Sequence, residues 1–350
     1  MSQSSGSQIG GISWSDTDIN AFLGQPTEGV LETLGRVEGD VMILGAGGKM
    51  GATLASMLRQ GFEKLGNKNR VLAVSRFSSP NSRDELESLG AETIACDLID
   101  RDQVQKLPDC ENIFFLAGHK FGSAGAPDLT WAMNVLVPGY VAERFGGSRI
   151  VAFSTGCVYP FVPVDSGGSR EEDEIGPPGD YANSCVGRER IFTYFAKKKN
   201  SPLALYRLNY AIEVRYGVLV DIAQKVYQGE PVDISTGHVN VIWQQDAVAR
   251  AIQLLDHAAV PPFILNVTGP ETHSVRDLAE RFGKIFDRPV KFEGEEQPTA
   301  WLSNASKSME LFGSLTVELD QMIEWVADYM KSGGDLLGKP TGFEARSGKF

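Results

Sequence analysis

The chain has 350 residues, 42% apolar and 22% charged, with 33 Lys and Arg against 45 Asp and Glu for a formal net charge of −12. That length exceeds one small binding module and the composition is that of a folded chain. The negative field argues against nucleic acid and anionic membrane surfaces as partners. Cys96, Cys110, Cys157 and Cys185 are too scattered for a disulfide framework or a zinc pair, and no apolar run reaches the roughly 18 residues of a membrane span. A cytoplasmic protein without a metal is expected.

Residues 1–38 read as a polar arm with a short helix around Gly29 to Leu34, packed on the body or on a partner. The apolar run Asp40 to Leu44 then enters Gly45-Ala-Gly47-Gly48-Lys49-Met50-Gly51, after which Leu54, Met57, Leu58 and Phe62 recur at helical spacing. Further strand-length runs at 71–74, 93–96, 113–117 and 150–153 are separated by segments long enough for crossover helices. That alternation predicts an α/β fold with a doubly wound parallel sheet of Rossmann type. The dinucleotide-binding domain should span 39–205 with a return segment near 232–258, and a smaller α+β substrate lobe 206–330. The Gly/Pro/acidic stretch 162–180 reads as a loop over a cleft, its acids Glu171 to Glu174 as a solvated face. A helix over 181–197, a strand over 203–208, and helices over 221–228, 246–256, 274–286 and 319–330 follow; the tail 331–350 reads as extended.

Glycines 45, 48 and 51, three apart between strand and helix, let backbone N–H groups approach a pyrophosphate at the positive end of the helix. Gly47, Lys49 and Met50 complete that turn as cofactor-binding candidates. The second strand ends in Ser75-Arg76 with no acid for a ribose 2′-hydroxyl, a pattern that favours NADP over NAD. Asp97, Leu98, Ala117 and Gly118, past the third and fourth strands, are candidate walls of the adenosine pocket.

The fifth strand runs into Ser154-Thr155-Gly156-Cys157-Val158-Tyr159, and Tyr181 opens a helix 26 residues after Thr155. In this order the chain resembles, over about 39–315, the extended short-chain dehydrogenase/reductase family of NAD-dependent epimerases and dehydratases. Gly45/Gly48/Gly51, Asp97, Asn134, Thr155 and Tyr181 match its pattern. So do Arg207-Leu-Asn209, Asp246-Ala-Val-Ala and Asn266-Val-Thr-Gly269. The resemblance implies Tyr181 as acid/base and cofactor contact, Thr155 as the group orienting the substrate oxygen, a sugar-like hydroxyl substrate, and a homodimer through 129–145 and 181–197.

One departure is chemical: the family's lysine four residues after the tyrosine is Cys185 here. An ammonium roughly 4 Å from a phenolate at an effective dielectric of about 20 is worth on the order of 4 kcal/mol, near three pKa units. A substitute cation is therefore expected, Lys120 before Arg188. Cys185 itself reads as an inert buried thiol rather than a nucleophile. His119, Asn134, Asn209, Arg215 and Asn240 are substrate-binding candidates; the resemblance also implies that Asn134 could hold a water or a backbone group near Lys120, the alternative being an ordinary helix asparagine. The reading is an NAD(P)-dependent oxidoreductase or epimerase, with a non-catalytic cofactor-binding sensor or assembly protein as the alternative.

Overall fold

The computed structural model describes residues 8–9, 12–13, 16–120, 122–123, 125–339 and 341–348; the start of the expected arm, Phe121 and the last two residues lie outside them. Seven parallel strands form the central sheet: β1 Val41–Leu44, β2 Val71–Ser75, β3 Glu92–Ala95, β4 Asn112–Phe115, β5 Arg149–Thr155, β6 Leu203–Leu208 and β7 Phe263–Val267. Their order across the sheet is β7-β6-β5-β4-β1-β2-β3. The order in which strands are added reverses between β1 and β4, the place where open parallel sheets leave a crevice at their carboxyl ends.

Period-two alternation decides which face each side chain buries. Val41 and Ile43 of β1 join one core, Met42 and Leu44 the other. Helices α1 Asp16–Leu23, α2 Glu28–Leu34, α3 Gly51–Lys64, α4 Pro80–Ser88 and α5 Arg101–Gln105 come from the first third of the chain. In the next stretch, α6 Pro127–Trp131 passes through a π-helical turn, Ala132–Leu136, into α7 Val137–Arg144. Pro138 explains the turn: it has no N–H to give the carbonyl of Asn134, and its ring crowds that carbonyl.

The long helix α8 Asp180–Lys199 starts after Pro177-Pro178-Gly179, with Gly179 at φ 79°, and stops at Asn200 in the left-handed region. Helices α9 Val218–Gln228, α10 Gln244–Gln253, α11 Val275–Phe286, α12 Ser306–Phe312 and α13 Leu319–Lys331 complete the set. Of these, α9, α11 and α13 pack with short strand pairs into a second lobe around Ile222, Leu278, Phe282, Met322 and Ile323.

The arm packs on the body: Val30 and Leu34 of α2 enter the sheet core, while Ile19 and Leu23 of α1 enter the second lobe. The last sheet strand, β7, lies past the 232–258 return segment and past the 205 boundary, so residues 263–267 belong to the first domain's sheet. The acidic loop is anchored rather than wholly solvated. Glu171 accepts the Asn266 N–H at 2.8 Å, and Val162–Pro163 pairs with Thr299–Ala300.

Candidate active site

The strand-to-helix turn after β1 is shaped by close approach. Gly45, at φ 92°, lies against the Ala117 backbone, where a Cβ would sit 2.6 Å from the Ala117 nitrogen; a Cβ on Gly51 would meet the Ala46 carbonyl oxygen at 1.9 Å. No larger residue fits either position, and Gly47 and Gly48 stand exposed at the amino end of α3. Ser75 ends β2 beside Gly47, and Arg76 is exposed with no hydrogen bond or ion pair among the described residues. Asp97 turns its carboxylate back to the Ile99 N–H at 3.2 Å, Leu98 is buried, and Ala117 and Gly118 follow β4. The turn, the ends of β2 and β3, and the segment after β4 thus face one crevice, a fit for a dinucleotide whose phosphates need bare backbone N–H groups.

At the other end of the crevice is a cavity of about 200 Å³ lined by Lys49, Met50, Lys120, Ser154, Thr155, Cys157, Tyr181, Leu208, Asn209, Tyr210, Ala211, Tyr216, Val218 and Thr341. Thr155 and Tyr181, paired by the family resemblance, and Lys120, read from its place after β4, all line this wall. Thr155 Oγ1 accepts the Cys157 N–H at 3.1 Å, which fixes its rotamer at the end of β5. Lys120 Nζ lies 5.9 Å from the centre of the Tyr181 ring and donates to the Thr341 carbonyl at 2.9 Å. Burial lowers the Lys120 pKa, against the pull of Cys157, Asp221, Cys185 and Glu344.

Burial holds the Tyr181 phenol well above its ordinary value, and the neighbouring Cys185 and Cys157 sulfurs raise it further, outweighing the opposite pull of Arg188. The hydroxyl is hydrogen-bonded to Cys185, so the side chain at the lysine position favours the protonated phenol. Burial pushes Cys185 itself up to about 11, which leaves it a thiol at neutral pH and an unsuitable nucleophile.

Arg188, the second candidate cation, does not line the cavity. Its guanidinium is buried, donating to the Phe153 carbonyl at 2.8 Å and to Asn134 Oδ1 at 2.6 Å. Asn134 is fully buried on the π-helical turn, where Oδ1 also accepts the His119 N–H at 2.9 Å and Nδ2 donates to the His119 carbonyl and to Ser184. Its geometry is that of a clamp holding the Lys120 loop to α8, away from any substrate. The His119 ring meets Thr130 Oγ1 at 3.0 Å and does not line the cavity. Asn209 does line it, with Nδ2 tied to Asn240 Oδ1 at 2.8 Å; Asn240 stands behind, bonded to the Ser303 carbonyl. Arg215 is elsewhere, buried against Glu213 at 3.2 Å and Asn20 at 2.9 Å, where it ties α1 to the second lobe.

Beneath the floor, Arg207 on β6 makes a two-point pair with Glu189 of α8, at 2.9 and 2.7 Å, and donates to the Tyr159 hydroxyl at 2.6 Å; Ser154 donates to the same Glu189 at 2.6 Å. This buried network locks α8, and with it Tyr181, onto the sheet. Arg207 is therefore structural support rather than a substrate-side group.

Five residues of the wall were not singled out by sequence reasoning: Tyr210, Ala211, Tyr216, Val218 and Thr341. Tyr210 carried one signal that only coordinates expose, a φ of 45°. Lys49 was assigned to the phosphate turn, yet its side chain crosses to the second lobe. There Nζ donates to the Ala211 carbonyl at 2.9 Å and lies 3.8 Å over the Tyr216 ring. Burial brings its pKa down to about 7. Among the described residues no group of three His, Cys, Asp or Glu side chains stands close enough to hold a metal.

A family model described as the NAD dependent epimerase/dehydratase family matches residues 41–238. Similar solved structures include an epimerase from Methanothermobacter thermautotrophicus, 17% identical with a TM-score of 0.70, the match covering 88% of this chain and 97% of that one. The UDP-glucuronic acid 4-epimerase of Bacillus cereus, solved with UDP-glucuronic acid and NAD, is 20% identical with a TM-score of 0.69 over 83% of this chain and 99% of its own. UDP-glucose 4-epimerase of Thermotoga maritima, solved with UDP-glucose, is 16% identical with a TM-score of 0.70 over 84% and 99%. At these identities the likeness is one of fold. None of the curated protein sequences matches.

Proposed function

The chain belongs to the NAD-dependent epimerase/dehydratase family, a family of enzymes, and from that premise we propose that it oxidises or epimerises a hydroxyl carbon of a sugar or sugar-like compound. The observation that carries this reading is the single cavity wall shared by Thr155, Tyr181 and Lys120 with Lys49 and Met50 of the glycine turn. A nicotinamide dinucleotide, when bound, would supply the hydride acceptor or donor. The turn Gly45 to Gly51 would hold its phosphates, Ser75, Arg76, Asp97 and Leu98 its adenosine end, and Ala117 and Gly118 the wall between.

Tyr181 takes the substrate hydroxyl proton at its phenolic oxygen, or returns it, and Thr155 Oγ1 holds the same substrate oxygen. A phenol raised by burial is a weak base near neutral pH, so positive charge must reach it. Lys120, 5.9 Å from the ring and anchored to Thr341, is the cation that stands in for the lysine absent at Cys185. Arg188, outside the wall, also lowers the phenol directly by its charge. A non-catalytic binder has no use for the Thr155 and Tyr181 pair, so the enzyme reading accounts for more of the wall.

NAD in the similar structures supports NAD as cofactor. Nothing in those structures supports a preference for NADP. Ser75 and the exposed Arg76 nevertheless offer a hydroxyl and a guanidinium with no carboxylate to repel a 2′-phosphate, so NADP should also be accepted. Leu129, Trp131, Leu136 and Tyr194 are exposed, and an apolar groove of about 580 Å³ runs between α7 and α8 past Val135, Tyr140, Ile191 and Phe195. That face supports a homodimer through these helices. All four cysteines are unpaired and buried, which supports a cytoplasmic setting, and no helix among the described residues is long and apolar enough to cross a membrane.

The test is reduced-nicotinamide absorbance with NAD or NADP against a sugar panel, with product analysis for epimers, comparing the wild type with Tyr181→Phe. The variant should bind cofactor as before and lose turnover. Retained turnover would end the assignment of Tyr181.

A further inference from the structure

Every side chain named in the cavity wall is neutral except two. Lys49 arrives from the glycine turn and Lys120 from the loop after β4, so chain segments some 70 residues apart bring two ammonium groups to one small space, and no carboxylate lines it. Three carboxylates stand near without lining it: Glu344, whose charge pulls on Lys120, and Glu213 and Asp221. Glu213 is paired with Arg215, and Asp221 Oδ2 accepts both the N–H and the hydroxyl of Thr341, at 2.8 and 2.6 Å. Lys49 and Lys120 oppose each other's charge, and Glu213 and Asp221 offset only part of the burial cost that brings Lys49 to about 7. Two like charges in a shared low-dielectric wall are unfavourable; Lys49 gives up its proton near neutral pH, and an anion between the two would restore the charge on both.

The C-terminal segment, which gives Thr341 to the wall, is fastened at separate points: Thr341 to Lys120 and Asp221, Phe343 into the second-lobe core, and Arg346 to the Thr299 carbonyl and hydroxyl. Gly348 packs against Pro178 and Gly179, just before Tyr181. About 200 Å³ is below the roughly 300–1,000 Å³ of pockets that enclose larger ligands. A nucleoside diphosphate trailing from the reacting sugar is larger than this cavity.

We infer that the substrate is a small free hydroxy acid of the sugar-acid class, whose carboxylate sits between Lys49 and Lys120 while its hydroxyl faces Tyr181 and Thr155, and that it carries no nucleotide. The inference rests on the catalytic reading above and narrows it. It differs from what the similar structures bind, since those solved with substrate hold UDP-sugars.

The experiment uses the full chain loaded with NAD. Calorimetric binding of glucuronate and gluconate is compared with glucose, UDP-glucose and UDP-glucuronate, and turnover of each is followed in parallel. The free acids should bind and the neutral sugar should not. Lys49→Met should weaken acid binding about 10- to 100-fold, the loss expected for a hydrogen bond to a charged group, and Lys49→Arg should restore most of it. NAD affinity, measured on each variant, shows that the glycine turn is intact. Tighter binding of UDP-glucose or UDP-glucuronate than of the free acids overturns the inference and leaves the oxidoreductase or epimerase reading standing. So does equal binding of glucose and glucuronate, or acid binding that Lys49→Met leaves unchanged. Binding of the acids with full turnover in Tyr181→Phe instead defeats the catalytic assignment while the anion site stands.

Discussion

Replacing Lys120 by Met isolates the electrostatic part of the proposed chemistry. A unit charge at the 5.9 Å separation of Lys120 Nζ from the Tyr181 ring centre is worth about 3 kcal/mol at an effective dielectric of about 20. That is roughly two pKa units at about 1.36 kcal/mol each. The phenol already stands well above its ordinary value through burial and the two neighbouring sulfurs. Losing the ammonium raises it further, so the phenolate fraction at neutral pH falls by roughly 100-fold. The assay is the pH dependence of kcat/KM in the oxidising direction, where the free enzyme must present a deprotonated base. Lys120→Met should shift the rising limb upward by about two units, with turnover at neutral pH down roughly 100-fold and recovering in more alkaline buffer. Lys120→Arg should restore part of it. A limb that does not move in Lys120→Met refutes the reasoning, because the phenol would then be tuned by groups outside the cavity wall, Arg188 first among them.

Tyr181→Phe should reduce turnover by roughly 10²–10⁴-fold, the usual share of a positioned acid/base, while calorimetry returns an unchanged NAD affinity. Removing one partner of the buried Arg207–Glu189 pair, with side chains 2% and 4% exposed, as in Arg207→Met, should cost about 3–5 kcal/mol in urea unfolding because Glu189 is left charged and unpaired. A loss under about 1 kcal/mol would show that the network is not what locks α8. Gly51→Ala places a methyl 1.9 Å from the Ala46 carbonyl, and dinucleotide binding followed by fluorescence should be lost. Lys49 has a folded pKa of about 7 against about 10.4 unfolded. Between those values the unfolded chain holds the extra proton, so this residue makes stability rise with pH and adds no further change below about 7. Urea midpoints measured across that window should climb more in the wild type than in Lys49→Met.

The apolar run, the helical period and the glycine spacing were legible in the sequence because they are local. The apolar run at 41–44 and helical recurrence from Leu54 to Phe62 need only the neighbouring residues, and glycines at 45, 48 and 51 report backbone crowding wherever the chain goes next. The parallel sheet followed from that order of elements, and Thr155, Tyr181 and Lys120 could be singled out by chemistry and by family resemblance. Tertiary structure alone decided what those groups meet. Burial and the Cys185 and Cys157 sulfurs raise Tyr181 against the pull of Arg188, and Asn134 became a clamp because a proline-driven π turn points it at His119 and Ser184. Lys49 left the phosphate turn for Ala211 and Tyr216, and a tail with no periodicity supplied Thr341 to the wall. The contacts of Lys49 and Thr341 join residues 162 and 221 positions apart, and their energies depend on burial and separation in space, which no local pattern of residues encodes.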